Sequence, residues 1–144
     1  MRVAAARLRQ RLGRRGAFLG GMGTLWLLYG YGLLVEPIAS TASYRLLLHV
    51  MPMDAWAVAW VVAGSAALLC AWTRPPWDWP GFAALYATAI PWGLSSLMSW
   101  WPLDDNPRGW IGAAIWGALG GAIWVVVGWP EPPRGERGGG HAER

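Results

Sequence analysis

Residues 109–129 read GWIGAAIWGALGGAIWVVVGW. The stretch holds no charge and no proline, and it is long enough to cross a hydrocarbon core, which takes about 20 apolar residues. Its two conspicuous ingredients are the smallest side chain and the largest. Gly112, Trp116, Gly120, Trp124 and Gly128 recur every fourth residue, beside a second row of Ala113, Gly117 and Gly121. Residues four apart form one inclined ridge on a helix. A ridge of small residues is a groove for a neighbouring helix, and this is the packing expected in lipid, where close approach replaces the hydrophobic effect as the force between helices.

Three further stretches have the same character, over about 16–35, 55–72 and 81–101, and none carries Asp, Glu, Lys, Arg or His. Four such stretches in 144 residues leave no polar shell to cover them as soluble core helices. Composition agrees: 55% hydrophobic and 14% charged, against about 25% charged in soluble domains. The predicted fold is all-α, a polytopic membrane protein with four transmembrane helices in a compact bundle. A basic amphipathic cytoplasmic segment (1–15) is expected before it and a disordered cytoplasmic tail (130–144) after it, rich in Pro, Gly and charge. The lone Cys70 excludes an internal disulfide and cysteine-pair metal or redox motifs.

All 12 basic residues are arginine. Six of them, Arg2, Arg7, Arg9, Arg11, Arg14 and Arg15, precede the first span. Their place ahead of an apolar run points to membrane orientation more than to a nucleic-acid surface. With both termini inside, ten arginines lie on the cytoplasmic side and two, Arg45 and Arg108, lie outside. The opposite orientation would break the positive-inside rule. A signal peptide cleaved after Ala42 is the competing reading, but the apolar core exceeds the usual 7–15 residues. Arg14-Arg15 before Phe18-Leu19 resembles a twin-arginine signal with the wrong spacing.

The connections suggest interfacial roles. Residues 3–12 can lie on the inner leaflet as a basic amphipathic helix. Tyr44, Leu47, Leu48 and Met51 follow the spacing of one helix face, which predicts a short interfacial helix in the first outer loop, begun by Ser40 or Thr41 and ended by Pro52. Arg45 and His49 share its other face; a proton site there competes with two residues simply facing water. Trp72, Trp77, Trp79, Trp100, Trp101, Trp110 and Trp129 fall at span ends, as interfacial anchors do. Asp104, Asp105 and Asn106 offer oxygens to a hard cation, yet too few for calcium; the simpler reading is a turn before the fourth helix. No metal and no cofactor is expected, and His141 stands alone.

Packing faces are expected at Gly16 and Gly20 in the first span, at Ala59, Ala63 and Ala67 in the second, and at Gly112, Ala113, Gly117, Gly120 and Gly121 in the fourth. Pro91 should kink the third span. Thr88, Ser95, Ser96 and Ser99 would satisfy freed backbone groups or, alternatively, line a polar path.

A coupled transporter usually holds an ionisable group at mid-depth, whereas Glu36 and Asp54 lie at span ends. That argues against small multidrug-resistance transporters, which carry a glutamate within the first helix. No nucleophile–base set supports an enzyme. The arginine-only start, WLLYGYGLL at 26–34, AWAVAWVVAG at 55–64 and VGWPEP at 127–132 resemble small uncharacterised four-pass membrane proteins of actinobacteria and their phages. The resemblance implies a bacterial cytoplasmic-membrane location and transfers no functional residue. The expected partners are the lipid bilayer and either a second copy or another membrane protein, without nucleic acid. The expected function is that of a non-enzymatic accessory or scaffold; the alternatives are a holin-like permeabilising protein and a channel or transporter for a small neutral solute.

Overall fold

The computed structural model describes residues 2–36, 42–73 and 75–130, with 2–11 and 42 as backbone alone. The expectations placed on Ser40, Thr41, Arg74, the signal-peptidase position and the tail from 131 lie outside the described residues, as do the side chains of Arg7, Arg9 and Arg11. Among the described residues the chain is all helical: α1 (Arg2–Val35), a 3-10 turn (Ala42–Tyr44), α2 (Arg45–Val50), α3 (Met53–Cys70), α4 (Trp79–Trp100) and α5 (Gly109–Val127). α2 and the preceding turn are the short helix expected in the first loop; Leu47 is buried, while Leu48 faces outward.

Among the described residues, three helices are long and apolar enough to cross a membrane: α1 over Leu12–Val35, α3 and α5. The sequence reading counted four. α4 is longer than α3 or α5, but it interrupts its apolar run with Pro80, Pro91, Thr88, three serines and three tryptophans. The physical reason is its position. α4 packs against α3 and α5 and touches α1, the 3-10 turn and α2 as well. Its buried face includes Thr88, Ser95, Ser96 and Ser99, so protein, more than surroundings, receives its polar groups. α4 runs through Pro91 as one element.

The four long helices alternate in direction. α1 and α3 meet along a seam of small residues in antiparallel register. A methyl added at Gly16 would collide with the Ala71 carbonyl, one at Gly23 would lie 2.8 Å from the Gly64 carbonyl oxygen, and one at Gly30 would lie 2.9 Å from that of Ala57. The contact is reciprocal, since a methyl at Gly64 would lie 2.7 Å from the Gly23 carbonyl oxygen. Positions 16, 23 and 30 thus face 71, 64 and 57. Both rows repeat every seven residues, the period that keeps a seam facing its partner with a drift of only about 20° per repeat. At the other flank, Gly109 and Gly112 let the start of α5 sit on Ser96 and Ser99 of α4.

The core between these seams is aromatic. Trp26, Tyr29, Trp60, Trp92 and Trp116 come from all four long helices, and Tyr44 of the 3-10 turn closes one end against Trp92 at 4.6 Å. Ring centroids within the cluster lie 4.6–6.2 Å apart in tilted and edge-to-face pairs, the arrangements favoured by ring quadrupoles. Trp26 Nε1 donates to Thr88 Oγ1 at 2.7 Å, and that hydroxyl donates back to its own helix at Leu85 O, 3.0 Å away. Trp60 and Trp92 are fully buried with no conventional acceptor for Nε1 among the described residues; their rings cross at 88°, edge against face.

Candidate functional site

The expected functional residues fall into three places: the helix faces, the end holding Arg14 and Arg15, and the end holding the 3-10 turn. On the faces the structure separates glycines that meet another helix from those that do not. Gly16 and Gly112 are in close contact, Ala63 and Ala67 are buried against the core, Ala59 and Ala113 are half-buried, and a methyl added at Gly120 would lie 3.9 Å from the Tyr86 ring. Gly20, Gly117 and Gly121 meet nothing within 4 Å. These three expected packing positions therefore seat no helix of this chain among the described residues, and the sequence alone does not distinguish an internal face from one that meets another protein. The division has a geometric cause. A row of residues four apart turns by about 40° at each step, so it leaves any seam after a few steps. Gly112, Trp116 and Gly120 face inward, whereas Trp124 and Gly128 on the same row are exposed. The unoccupied faces of α4 and α5 instead border an open apolar groove of about 210 Å³, lined by residues including Tyr86, Ile90, Gly93, Ala113, Gly117 and Gly121.

At the arginine end, Arg15 forms a two-point ion pair with Asp78, which immediately precedes α4. Nε lies 2.7 Å from Oδ2, and Nη2 donates to Oδ1 at 3.1 Å. Arg15 Nη1 also donates to the Val127 carbonyl at 3.0 Å, and the guanidinium lies over Phe82. One side chain therefore ties α1 to the ends of α4 and α5. Asp78 is 2% exposed, and a buried carboxylate of this kind requires both charge and hydrogen bonds in compensation. Beside it, the Arg14 guanidinium stacks on Trp129, 4.6 Å from the ring centre. Trp72, Trp77 and Trp79 surround the same end and are exposed. Asp78 is the residue sequence reasoning missed. Its signal was that no other acid stands between Asp54 and Asp104, and it sits between two tryptophans.

At the opposite end Trp100, Trp101 and Trp110 are exposed, so exposed indoles mark both ends of the bundle. Two of the three candidate cation ligands, Asp105 and Asn106, are engaged within the protein. Asp105 accepts from Arg45 at 2.9 Å. Asn106 donates to the Ser43 hydroxyl and accepts from the Arg108 amide. Ser95 donates to the Ser43 carbonyl at 2.9 Å. His49 Nδ1 lies 2.7 Å from the Arg45 carbonyl one turn back, while the Arg45 guanidinium goes to Asp105, so the two side chains do not form the proton site considered above. No group of three or more His, Cys, Asp or Glu capable of holding a metal occurs among the described residues. The α4 hydroxyls are directed to backbone: Ser99 to Ser96 O, Thr88 to Ala84 O and Leu85 O. Burial among rings pushes the Tyr44 phenol above its ordinary value, with its Tyr29 hydrogen bond acting in the opposite sense.

No protein-family profile, curated protein or solved structure matches the chain.

Proposed function

We propose that this chain is a four-pass protein of a bacterial cytoplasmic membrane, with both termini in the cytoplasm. It acts without catalysis as an accessory or scaffold that holds a transmembrane helix of a partner protein. In this reading α4 also crosses the membrane, as the third of four spans in chain order, sheltered by its neighbours. The supporting observation is the unoccupied small-residue face of α5. Gly109 and Gly112 are in tight contact within the chain, yet Ala113, Gly117 and Gly121 border an open groove. Helices in lipid associate through such small-residue faces.

The test places a photo-crosslinking amino acid at Ala118, an exposed position adjacent in sequence to Gly117 of the groove, in cells expressing the full chain. The reading expects one discrete partner adduct that disappears in Gly117→Leu and Gly121→Leu variants whose helical content is unchanged. Adducts that persist in those variants, or labelling of lipid alone, would overturn it. Membrane potential followed in the same cells separates the alternatives. A collapse accompanied by self-adducts supports the holin-like reading, in which the groove receives a second copy. Solute flux dependent on Ser95 supports the channel reading. Resistance of a reporter fused after Arg144 to external protease checks the orientation.

A further inference from the structure

α1 is not one uninterrupted helix. Gly13 has φ 73° and ψ −177°, a conformation essentially reserved for glycine. Three residues later, Gly16 is locked against Ala71, so the bundle begins immediately after the break. Leu12, directly ahead of the break, still packs against the core; the backbone ahead of it need not continue the line of the span, because the break at Gly13 changes its direction. The break lies at the level of exposed Trp72, Trp77 and Trp79, with Arg14 stacked on Trp129. Tryptophan in this setting marks the headgroup region of a bilayer.

We propose that residues 2–12 are an arm that lies on the membrane surface and binds anionic phospholipid headgroups. The helical register supports the partner. Ala4, Leu8 and Leu12 fall in one row, with Arg7 and Arg11 on one flank and Arg2 and Arg9 on the other. An apolar row flanked on both sides by long cations is the pattern of a helix lying in an interface. No acid occurs before Glu36, so the segment ahead of Gly13 carries four arginines and no acid of its own. Arg15 is engaged by Asp78 and belongs to the bundle. The inference goes beyond the scaffold reading and does not depend on it. It requires only that the bundle sit in a bilayer.

The magnitude is testable. Each arginine near an anionic surface favours the bound arm by about fivefold, so removing two should lower the bound-to-free ratio on the order of twentyfold at low salt. The full chain with Cys70→Ser and Gln10→Cys carries a polarity-sensitive fluorophore in nanodiscs. In phosphatidylglycerol-containing discs the fluorophore should be shielded from an aqueous quencher; in pure phosphatidylcholine discs it should be accessible. High salt should remove the difference. Arg7→Gln with Arg9→Gln should behave in the anionic discs as the parent does in neutral ones. Gly13→Ala, which cannot keep the break without strain, should lift the arm and lower shielding. In each variant, tryptophan emission of the bundle reports that the fold is retained. Equal quenching in the two lipids overturns the proposal. So does shielding produced by an oligonucleotide in neutral discs and exceeding that by anionic lipid, which would assign the arm to nucleic acid.

Discussion

Replacing Gly64 by alanine tests the reading of the helix faces most directly. The added methyl would lie 2.7 Å from the Gly23 carbonyl oxygen and 2.8 Å from the Leu27 nitrogen, where ordinary contact begins at 3.4 Å. The shortfall is about 0.7 Å, and both obstacles are backbone, so α1 and α3 must separate. Overpacking of this kind costs about 1–3 kcal/mol, while exchanging glycine for alanine within a helix returns about 0.5–1 kcal/mol. The expected net loss is about 1–2 kcal/mol. Gly117→Ala has the opposite expectation. No atom lies within 4 Å, so only the helix preference remains and stability should rise by zero to about 1 kcal/mol. The two variants should therefore differ by about 2 kcal/mol, some thirtyfold in the folded-to-unfolded ratio. Unfolding by sodium dodecyl sulfate in mixed micelles, followed through emission of the tryptophan core, measures this difference at protein concentrations where the chain is monomeric. Equal shifts in the two variants would refute the argument, as would a Gly117→Ala loss larger than that of Gly64→Ala.

Asp78→Asn should destabilise the bundle by about 3 kcal/mol, because it leaves the Arg15 guanidinium, only 13% exposed, without its counter-charge; reversing the charges with Arg15→Asp and Asp78→Arg should recover part of the loss in the same assay. Arg45→Gln, at an exposed pair, should change stability by less than about 1 kcal/mol, with the small effect vanishing in high salt. Thr88→Val removes the acceptor of the buried Trp26 indole at nearly constant volume and should cost about 1–3 kcal/mol, whereas Trp26→Phe combined with Thr88→Val should cost less than the separate changes added. Alkaline titration by tyrosinate absorbance should find Tyr44 ionising above its ordinary value. The unfolded chain then loses its proton first, so stability should fall as pH rises through the ordinary tyrosine range toward the folded value.

The span limits were legible because apolar length is a one-dimensional property. The expected first, second and fourth spans correspond to the apolar part of α1 (Leu12–Val35), to α3 and to α5 within a few residues. Two features were not legible, for different reasons. α4 does not reach the same apolar measure as the other three, because a helix covered by protein can carry hydroxyls and proline that interrupt its apolar run. Which small-residue faces are internal was not legible because rows of period four are the most visible pattern in a glycine- and alanine-rich segment, while the pattern that holds α1 to α3 has period seven. Gly16, Gly23 and Gly30 show that period in the sequence, as do Ala57, Gly64 and Ala71. What selects it is the partner helix, whose matching row becomes visible only when the two are laid antiparallel. Asp78 escaped notice for a related reason: a single acid in a short loop gains meaning only from Arg15, 63 residues earlier.

The reciprocal seam between α1 and α3 constrains how the gene can change length. Its facing positions have a constant sum, 16 with 71, 23 with 64 and 30 with 57. Inserting one residue between Gly16 and Gly23 would rotate everything beyond it by about 100° and turn two of the three notches away from their partners. Compensation by one residue in α3 would have to occur between Gly64 and Ala71. Insertions and deletions within these two helices are thus tolerated only as matched pairs or in whole sevens. Length variation among descendants of this sequence should spare both helical segments.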